Sequence, residues 1–279
     1  MNIHPTAIID PNTELHETVE VGPYAVIGPG VRVKAGCRIG AHCNLSGPAV
    51  IGEDNRIGPF ATVGAPPQDL KHQGEPTELI IGNNNVIREY VSIHRGTIKR
   101  TVNGTSGKIA SGLGRTIIGD NNLIMAYGHI AHDCTVGNGV VMANAVTLAG
   151  HVLIEDRAVI GGLTAIQQFV RVGTFTYIGG MSGLSKDVPP YIVMAGVRKQ
   201  MRISGINQVG LRRAGCPPVN IRKLQTIFKI IFRNPELLLN EALDQASAQC
   251  GDCPEAKRLV EFFQTSRQGV LRQVGPEDE

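Results

Sequence analysis

Read from Ile3 in steps of six, the chain presents Ile3, Ile9, Leu15, Val21, Ile27, Val33, Ile39, Leu45, Ile51, Ile57 and Val63, an aliphatic residue at every step. A second comb with the same period runs from Ile118 through Ile124, Ile130, Val136, Met142, Leu148, Ile154, Ile160, Ile166, Val172 and Ile178 to Leu184. Four places after most teeth stands a small or β-branched residue, as at Ala25, Cys37, Cys43, Ala61, Cys134 and Ala158. The interior is therefore narrow. Composition agrees, because 4% aromatic residues and no Trp in 279 residues leave only aliphatic filling. Many of the 34 glycines directly follow a tooth (Gly22, Gly28, Gly40, Gly58), where coil turns would need them.

A period of six fits neither the 3.6 of an α-helix nor the 2.0 of a plain strand, and it marks the hexapeptide class of parallel β-helix. In that class, which is left-handed, three hexapeptides close a coil of eighteen residues. Each coil pairs with the next at about 4.8 Å. Two interruptions are expected. The steps after Val63 fall on Asp69 and Glu75, which cannot line a dry core, so residues 65–79 should loop out. The comb resumes at Ile81, Ile87 and Ile93 and then skips to Ile118, so the Gly-, Ser- and Lys-rich stretch 98–116 reads as a second loop. Past Leu184 the segment Asp187-Val-Pro-Pro190 turns the chain away. Ile221, Leu224, Phe228 and Ile231, and later Leu259, Phe262 and Phe263, then follow a helical period, with Pro235 and Pro254 near helix starts. The expected organisation is mainly β: a left-handed parallel β-helix over 1–190 and a C-terminal α-helical domain over 191–279 that caps the last coil.

A net charge of +3 is too small to imply nucleic acid but suits an acidic partner. The N-terminus lacks a signal-peptide pattern and no apolar run reaches about 18 residues, so a cytoplasmic, soluble protein without a transmembrane segment is expected. Six cysteines in a reducing compartment read as free thiols. The lone Cys250-x-x-Cys253 lacks the second ligand pair of a zinc site.

Five of the eight histidines fall between positions 72 and 151. The eighteen-residue coil places Gly150 one rung above His132, His151 one rung above Asp133, and Gln168 two rungs above His132. All stand off the core positions. An imidazole, an adjacent carboxylate and an approachable glycine N–H on successive rungs make an acid–base site. His4, His16 and His42 stand apart from any motif and read as solvated. A metal reading of the cluster fits poorly: the zinc carbonic anhydrases of this fold separate their near histidines by five residues, whereas His129 and His132 are three apart.

Several segments together carry a specific resemblance: Gln68-Asp-Leu-Lys-His-Gln-Gly-Glu-Pro-Thr77, Ser92-Ile-His-Arg-Gly-Thr97, His129-Ile-Ala-His-Asp-Cys134, Leu148-Ala-Gly-His151 and Asp187-Val-Pro-Pro-Tyr191. They resemble the UDP-N-acetylglucosamine O-acyltransferases of lipid A biosynthesis over nearly the whole chain. The resemblance implies transfer of an (R)-3-hydroxyacyl group from acyl carrier protein to the glucosamine 3-hydroxyl of UDP-N-acetylglucosamine. It implies a homotrimer with sites between subunits, and neither cofactor nor metal. It also implies roles: His132 as general base, Asp133 as its orienting partner, and the Gly150 N–H as oxyanion donor. Asp69, Lys71, His94, His129, His151 and Gln168 would position substrate, Asn207 would meet the uracil, and Arg213 would hold a phosphate. Gly180, with Met181 beside it, occupies the place that limits acyl length. The pattern departs at Gln167, where the family carries His, at Val209 and Ala214 near the nucleotide, and in the longer second loop. These departures leave a 3-amino analogue of the sugar, or another hexapeptide-repeat sugar N-acyltransferase, as the alternative reading. A non-catalytic scaffold and an acetyl-coenzyme-A-dependent enzyme are the remaining classes open on fold alone.

Overall fold

In the computed structural model the described residues are 2–98, 114–196, 200–272 and 274. The core of the second expected loop lies outside them, as do Arg198 and Lys199. Among the described residues, short strands stack into three sheets of eleven, nine and eight strands, which form the three faces of a coil. The first face begins at Asn2–Ile3, the second at Ile8–Ile9 and the third at Glu14–Leu15. Pairing within each face is parallel and in phase: Ile3 with Val21, Ile9 with Ile27, Leu15 with Val33, and onward through the teeth. From Val21 upward both combs are buried and form one continuous column. Each parallel strand is only two to four residues long because a tooth, its outward neighbour and a corner already use the hexapeptide.

The glycines that follow the teeth serve close approach rather than turning. A Cβ at Gly22 would come within 2.8 Å of the Ala41 nitrogen, and one at Gly40 within 2.8 Å of the Pro59 nitrogen, so these positions let the next rung's backbone in. The left-handed corner residue lies two places later and is mostly not glycine. It is Tyr24, His42, Phe60, Tyr90 and Tyr127 at one corner, with φ between 56° and 63°. Their rings stack face to face at 4.8–5.1 Å up that corner. His42, expected to be merely solvated, is the second ring of this stack.

One inward position carries polar residues. Asn55, Asn85 and Asn122 are buried on consecutive rungs where a small apolar residue is the rule. The Asn55 side chain donates to Gly52 and Gly82 carbonyls, and its Oδ1 accepts from Asn85. Asn85 accepts from the Asn122 N–H in turn, and Asn122 from the Val140 N–H.

Register locates the insertions. Ile51 pairs with Ile81, thirty residues on instead of eighteen, and Ile81 pairs with Ile118, thirty-seven on. Both excursions leave between a second-face tooth and a third-face tooth: after Thr62–Ala65, rejoining at Glu78–Ile81, and after Ser92–His94, rejoining at Arg115–Ile118. That corner is the one that carries His132 and Asp133 on the rung above.

Parallel pairing continues past the last tooth to Ile192–Ala195, which Arg202–Ile206 joins antiparallel. Among the described residues four helices follow: α1 (Gln208–Arg213), α2 (Pro218–Phe232), α3 (Leu239–Gln249) and α4 (Pro254–Thr265). Pro218 and Pro254 stand at the first helical positions of α2 and α4, where a missing N–H costs nothing. The stripe Ile221, Leu224, Phe228 and Ile231 packs inward with Leu259 and Phe263. Buried Asp187 ties this unit to the coil: it accepts from the Arg171 N–H on one side and from Ser266 and the Arg267 N–H on the other. Glu155 adds a second tie through Arg171 and Arg258. The cysteines are all free, including Cys250 and Cys253, whose thiols burial pushes up.

Candidate active site

The corner between the second and third faces assembles the site on three rungs. On the first, the Asp133 backbone takes a left-handed turn, φ 60°, and its carboxylate meets Thr97 and His132. The side chain is fully buried, and the His132 Nδ1 lies 2.8 Å from Oδ2. Burial alone would raise this carboxyl, but hydrogen bonds from His132 and from the Thr97 hydroxyl and N–H outweigh it and hold it below the ordinary range. The ionised carboxylate therefore fixes the proton on the His132 Nδ1 and leaves Nε2 as the lone-pair face.

On the next rung, Gly150 lies flat against the imidazole. A Cβ there would come within 2.5 Å of the His132 Cε1 and 2.7 Å of Nε2, so only glycine leaves the ring in place. No described residue accepts the Gly150 N–H. His151, one rung above Asp133 as the eighteen-residue arithmetic expects, puts its Nε2 3.7 Å from Oδ2 and its ring edge-on to His132 at 5.2 Å. Phe169 stacks on the other face of His151 at 4.8 Å. Gln167 and Gln168 are exposed on this third rung.

Below the base, His94 and His129 meet edge to face at 5.0 Å, and the Ser92 hydroxyl lies 2.7 Å from the His129 Nδ1. Burial, with the nearby His129 and His132, pushes His94 down to about 4, and burial with His132 also lowers His129. Both rings are therefore neutral at pH 7. The His94 Nδ1 is buried without a hydrogen-bond partner among the described residues.

Because His94 is neutral in the fold but protonated near pH 6.5 once unfolded, the folded state loses stability as pH falls from 6.5 towards 4. Asp133, whose carboxyl is held low, contributes stability above its unfolded value and loses it only at lower pH. The melting temperature is accordingly expected to fall across pH 6.5–4, and a His94→Gln variant to show a shallower fall by thermal-shift measurement.

The other expected residues stand apart from this cluster. Asp69 caps its own loop turn by accepting from the Lys71 N–H, and neither side chain has a described contact with the histidines. Asn207 is the N-cap of α1: its Oδ1 accepts from the Gly210 N–H and its Nδ2 donates to the Phe175 carbonyl, so both ends of the amide already have a structural duty. Arg213 is exposed in the last turn of α1. Gly180 packs near the Gly162 carbonyl, and Met181 beside it is 70% exposed. His132, Asp133 and His151 place one donor atom each within 4.8 Å of one another, a set able to bind a cation, although two of those donors are already bonded to each other. Reading by spacing missed Ser92, Thr97, Thr116 and Phe169.

Comparison with known proteins agrees with this geometry. The second-domain model of UDP-N-acetylglucosamine O-acyltransferase matches residues 187–271, and the bacterial transferase hexapeptide model matches 31–65 and 115–150. An acyl-[acyl-carrier-protein]–UDP-N-acetylglucosamine O-acyltransferase of Burkholderia lata is 46% identical over 97% of this chain and 99% of its own. The chain belongs to the UDP-N-acetylglucosamine O-acyltransferase family. A protein of the same description from Thermodesulfovibrio yellowstonii is 47% identical over the same shares. The crystal structure of the Francisella novicida UDP-N-acetylglucosamine acyltransferase superposes with a TM-score of 0.89 at 33% identity, covering 97% of this chain and 94% of that one. The family fold is the left-handed parallel β-helix with a helical C-terminus expected from the comb. As a member of this family the protein is an acyltransferase, and the N-acyl alternative is not favoured.

Proposed function

We propose that the protein moves an (R)-3-hydroxyacyl group from the thioester of acyl carrier protein to the glucosamine 3-hydroxyl of UDP-N-acetylglucosamine, the first step of lipid A biosynthesis. The observation that carries this is the buried His132–Asp133 pair under an unaccepted Gly150 N–H. His132 Nε2 takes the proton as the sugar hydroxyl attacks the thioester carbon, and the Gly150 N–H receives the developing oxyanion. As the tetrahedral intermediate collapses, the imidazolium returns the proton to the departing thiolate. Ionised Asp133 holds the ring and balances its transient charge. Neutral His94 and His129, with His151, Gln167 and Gln168, line the same corner and position the sugar. Asp69, Lys71, Asn207 and Arg213 would complete the nucleotide and phosphate contacts, and Gly180 with Met181 would bound the acyl chain.

We place this chemistry on a coil domain, 1–190, and the carrier-protein surface on the helical domain, 191–279. The exposed basic side chains Arg212, Arg213 and Arg222, with half-buried Lys223, suit an acidic carrier there. A cytoplasmic homotrimer fits two features. Among the described residues no helix is long and apolar enough to cross a membrane. The half-exposed ring stack Tyr24–Tyr127 also continues up its corner to exposed Leu163 and Met181, an apolar stripe that a neighbouring subunit would cover.

The test is direct. Purified protein, given UDP-N-acetylglucosamine and a panel of 3-hydroxyacyl carrier proteins, should yield an O-acylated sugar nucleotide by mass spectrometry. Transfer only to the 3-amino analogue, or only from coenzyme A, would overturn the assignment.

A further inference from the structure

We propose that Thr97 and Thr116, which stand at the two stems of the second insertion, are positioning residues that hold Asp133 in the one orientation His132 can use. The inference rests on the acyl-transfer reading and adds to it two residues that contact neither substrate nor the reacting atoms.

Among the described residues, Thr97 supplies the hydrogen bonds to the Asp133 carboxylate besides that of His132. Its N–H lies 3.0 Å from Oδ1 and 3.1 Å from Oδ2, and its hydroxyl lies 2.5 Å from Oδ2. Thr116 acts on the backbone: its hydroxyl accepts the Asp133 N–H at 2.9 Å, within the left-handed turn that aims the carboxylate. Both threonines are buried, Thr97 at 7% and Thr116 at 0% exposure, so water cannot replace either group. They come from opposite ends of the excursion between Ser92–His94 and Arg115–Ile118. The insertion thus delivers a donor from its first stem and an acceptor from its second to the same aspartate.

The consequence is electronic as well as geometric. Oδ2 is shared between the Thr97 hydroxyl and the His132 Nδ1. A donor on that oxygen draws off negative charge and so moderates the pull on the imidazolium. Without the hydroxyl, Oδ2 grips the imidazolium more tightly, the proton leaves His132 at higher pH, and less free base is present on the acid side. The carboxylate also gains rotational freedom.

Thr97→Val keeps shape and the backbone donor but loses the hydroxyl. It is expected to lower kcat roughly 10- to 100-fold while KM for the sugar nucleotide changes less than about twofold. The acid limb of its kcat–pH profile should move up by roughly half a unit. Thr97→Ser should restore kcat to within about threefold and return the limb to its place. Thr116→Val and Thr116→Ser should show the same loss and rescue. A second readout does not need turnover: in protein labelled at histidine Cε1, the NMR signal that disappears in His132→Ala should titrate at higher pH in Thr97→Val and normally in Thr97→Ser. A folded Thr97→Val protein with unchanged kcat and an unchanged His132 titration would overturn the proposal. Absence of acyl transfer by the unmodified protein would instead strike the functional reading, while the titration would still decide on Thr97.

Discussion

Replacement of His132 by Ala is expected to lower kcat by roughly 10²–10⁴, with KM for UDP-N-acetylglucosamine little changed. The reason lies in what remains when the ring is removed. A sugar hydroxyl is a poor nucleophile until its proton moves, and no other described group at this corner is equipped to take it. His94 and His129 are neutral, but His129 spends Nδ1 on Ser92, and the His94 ring lies against the His129 ring below the base. His151 faces Asp133 and is stacked under Phe169. Initial rates at saturating acyl carrier protein, measured over a range of sugar nucleotide, separate the two constants. Undiminished turnover would remove His132 from the mechanism. The Gly150 N–H would still stabilise the oxyanion, so the variant should retain a rate above the uncatalysed one.

Gly150→Ala is expected to cost roughly 10²–10³ in kcat, although it adds only one methyl group. That methyl would sit 2.5 Å from the His132 Cε1, far inside contact distance, so either the imidazole swings away from Asp133 or the rung moves. A displacement of about 1 Å at the base is enough for a loss of this size. The same change also moves the N–H that should meet the oxyanion. Gly28→Ala is the control: its Cβ would have no neighbour closer than the Leu45 carbonyl at 3.4 Å, and its kcat should be unchanged. Paired thermal melts show whether Gly150→Ala stays folded. A folded Gly150→Ala with full activity would mean that the imidazole does not work from the position it holds against the glycine.

The combs Ile3–Val63 and Ile118–Leu184 carried the fold almost unaided, because in a coil one side chain wide a single misplaced polar tooth would be buried without a partner. Eighteen-residue arithmetic also placed Gly150 over His132 and His151 over Asp133, and both relations hold in the structure. The same arithmetic failed across the insertions for a definite reason. Ser92 and His129 are neighbours at a separation of 37, which is not a multiple of eighteen, and Thr97 and Asp133 at 36, which the arithmetic would place two rungs apart although their rungs are adjacent. The residues that brace the base from below were therefore invisible to periodicity. Composition misled in one respect. Glycine beside a tooth suggested a turn, but the left-handed corners belong to Tyr, His and Phe, while glycine answers the approach of the next rung. Asn207, expected at the uracil, also showed a limit of motif reading: the same side chain caps α1, which spacing to other motifs does not reveal.

The position of both insertions at one corner bears on how such a chain can change length. One residue gained inside a hexapeptide would turn every later tooth outward and is excluded. A segment of any length can be spliced between a second-face and a third-face tooth, because the chain leaves and rejoins the coil at fixed points. The first insertion adds twelve residues and the second nineteen, and the histidine rungs above them remain in phase. Foreign sequence grafted between Thr97 and Thr116 should therefore spare the fold provided both threonines are kept. Variation among related chains has one place in which to accumulate, directly below the catalytic pair, where it can alter what is bound without altering what is done to it.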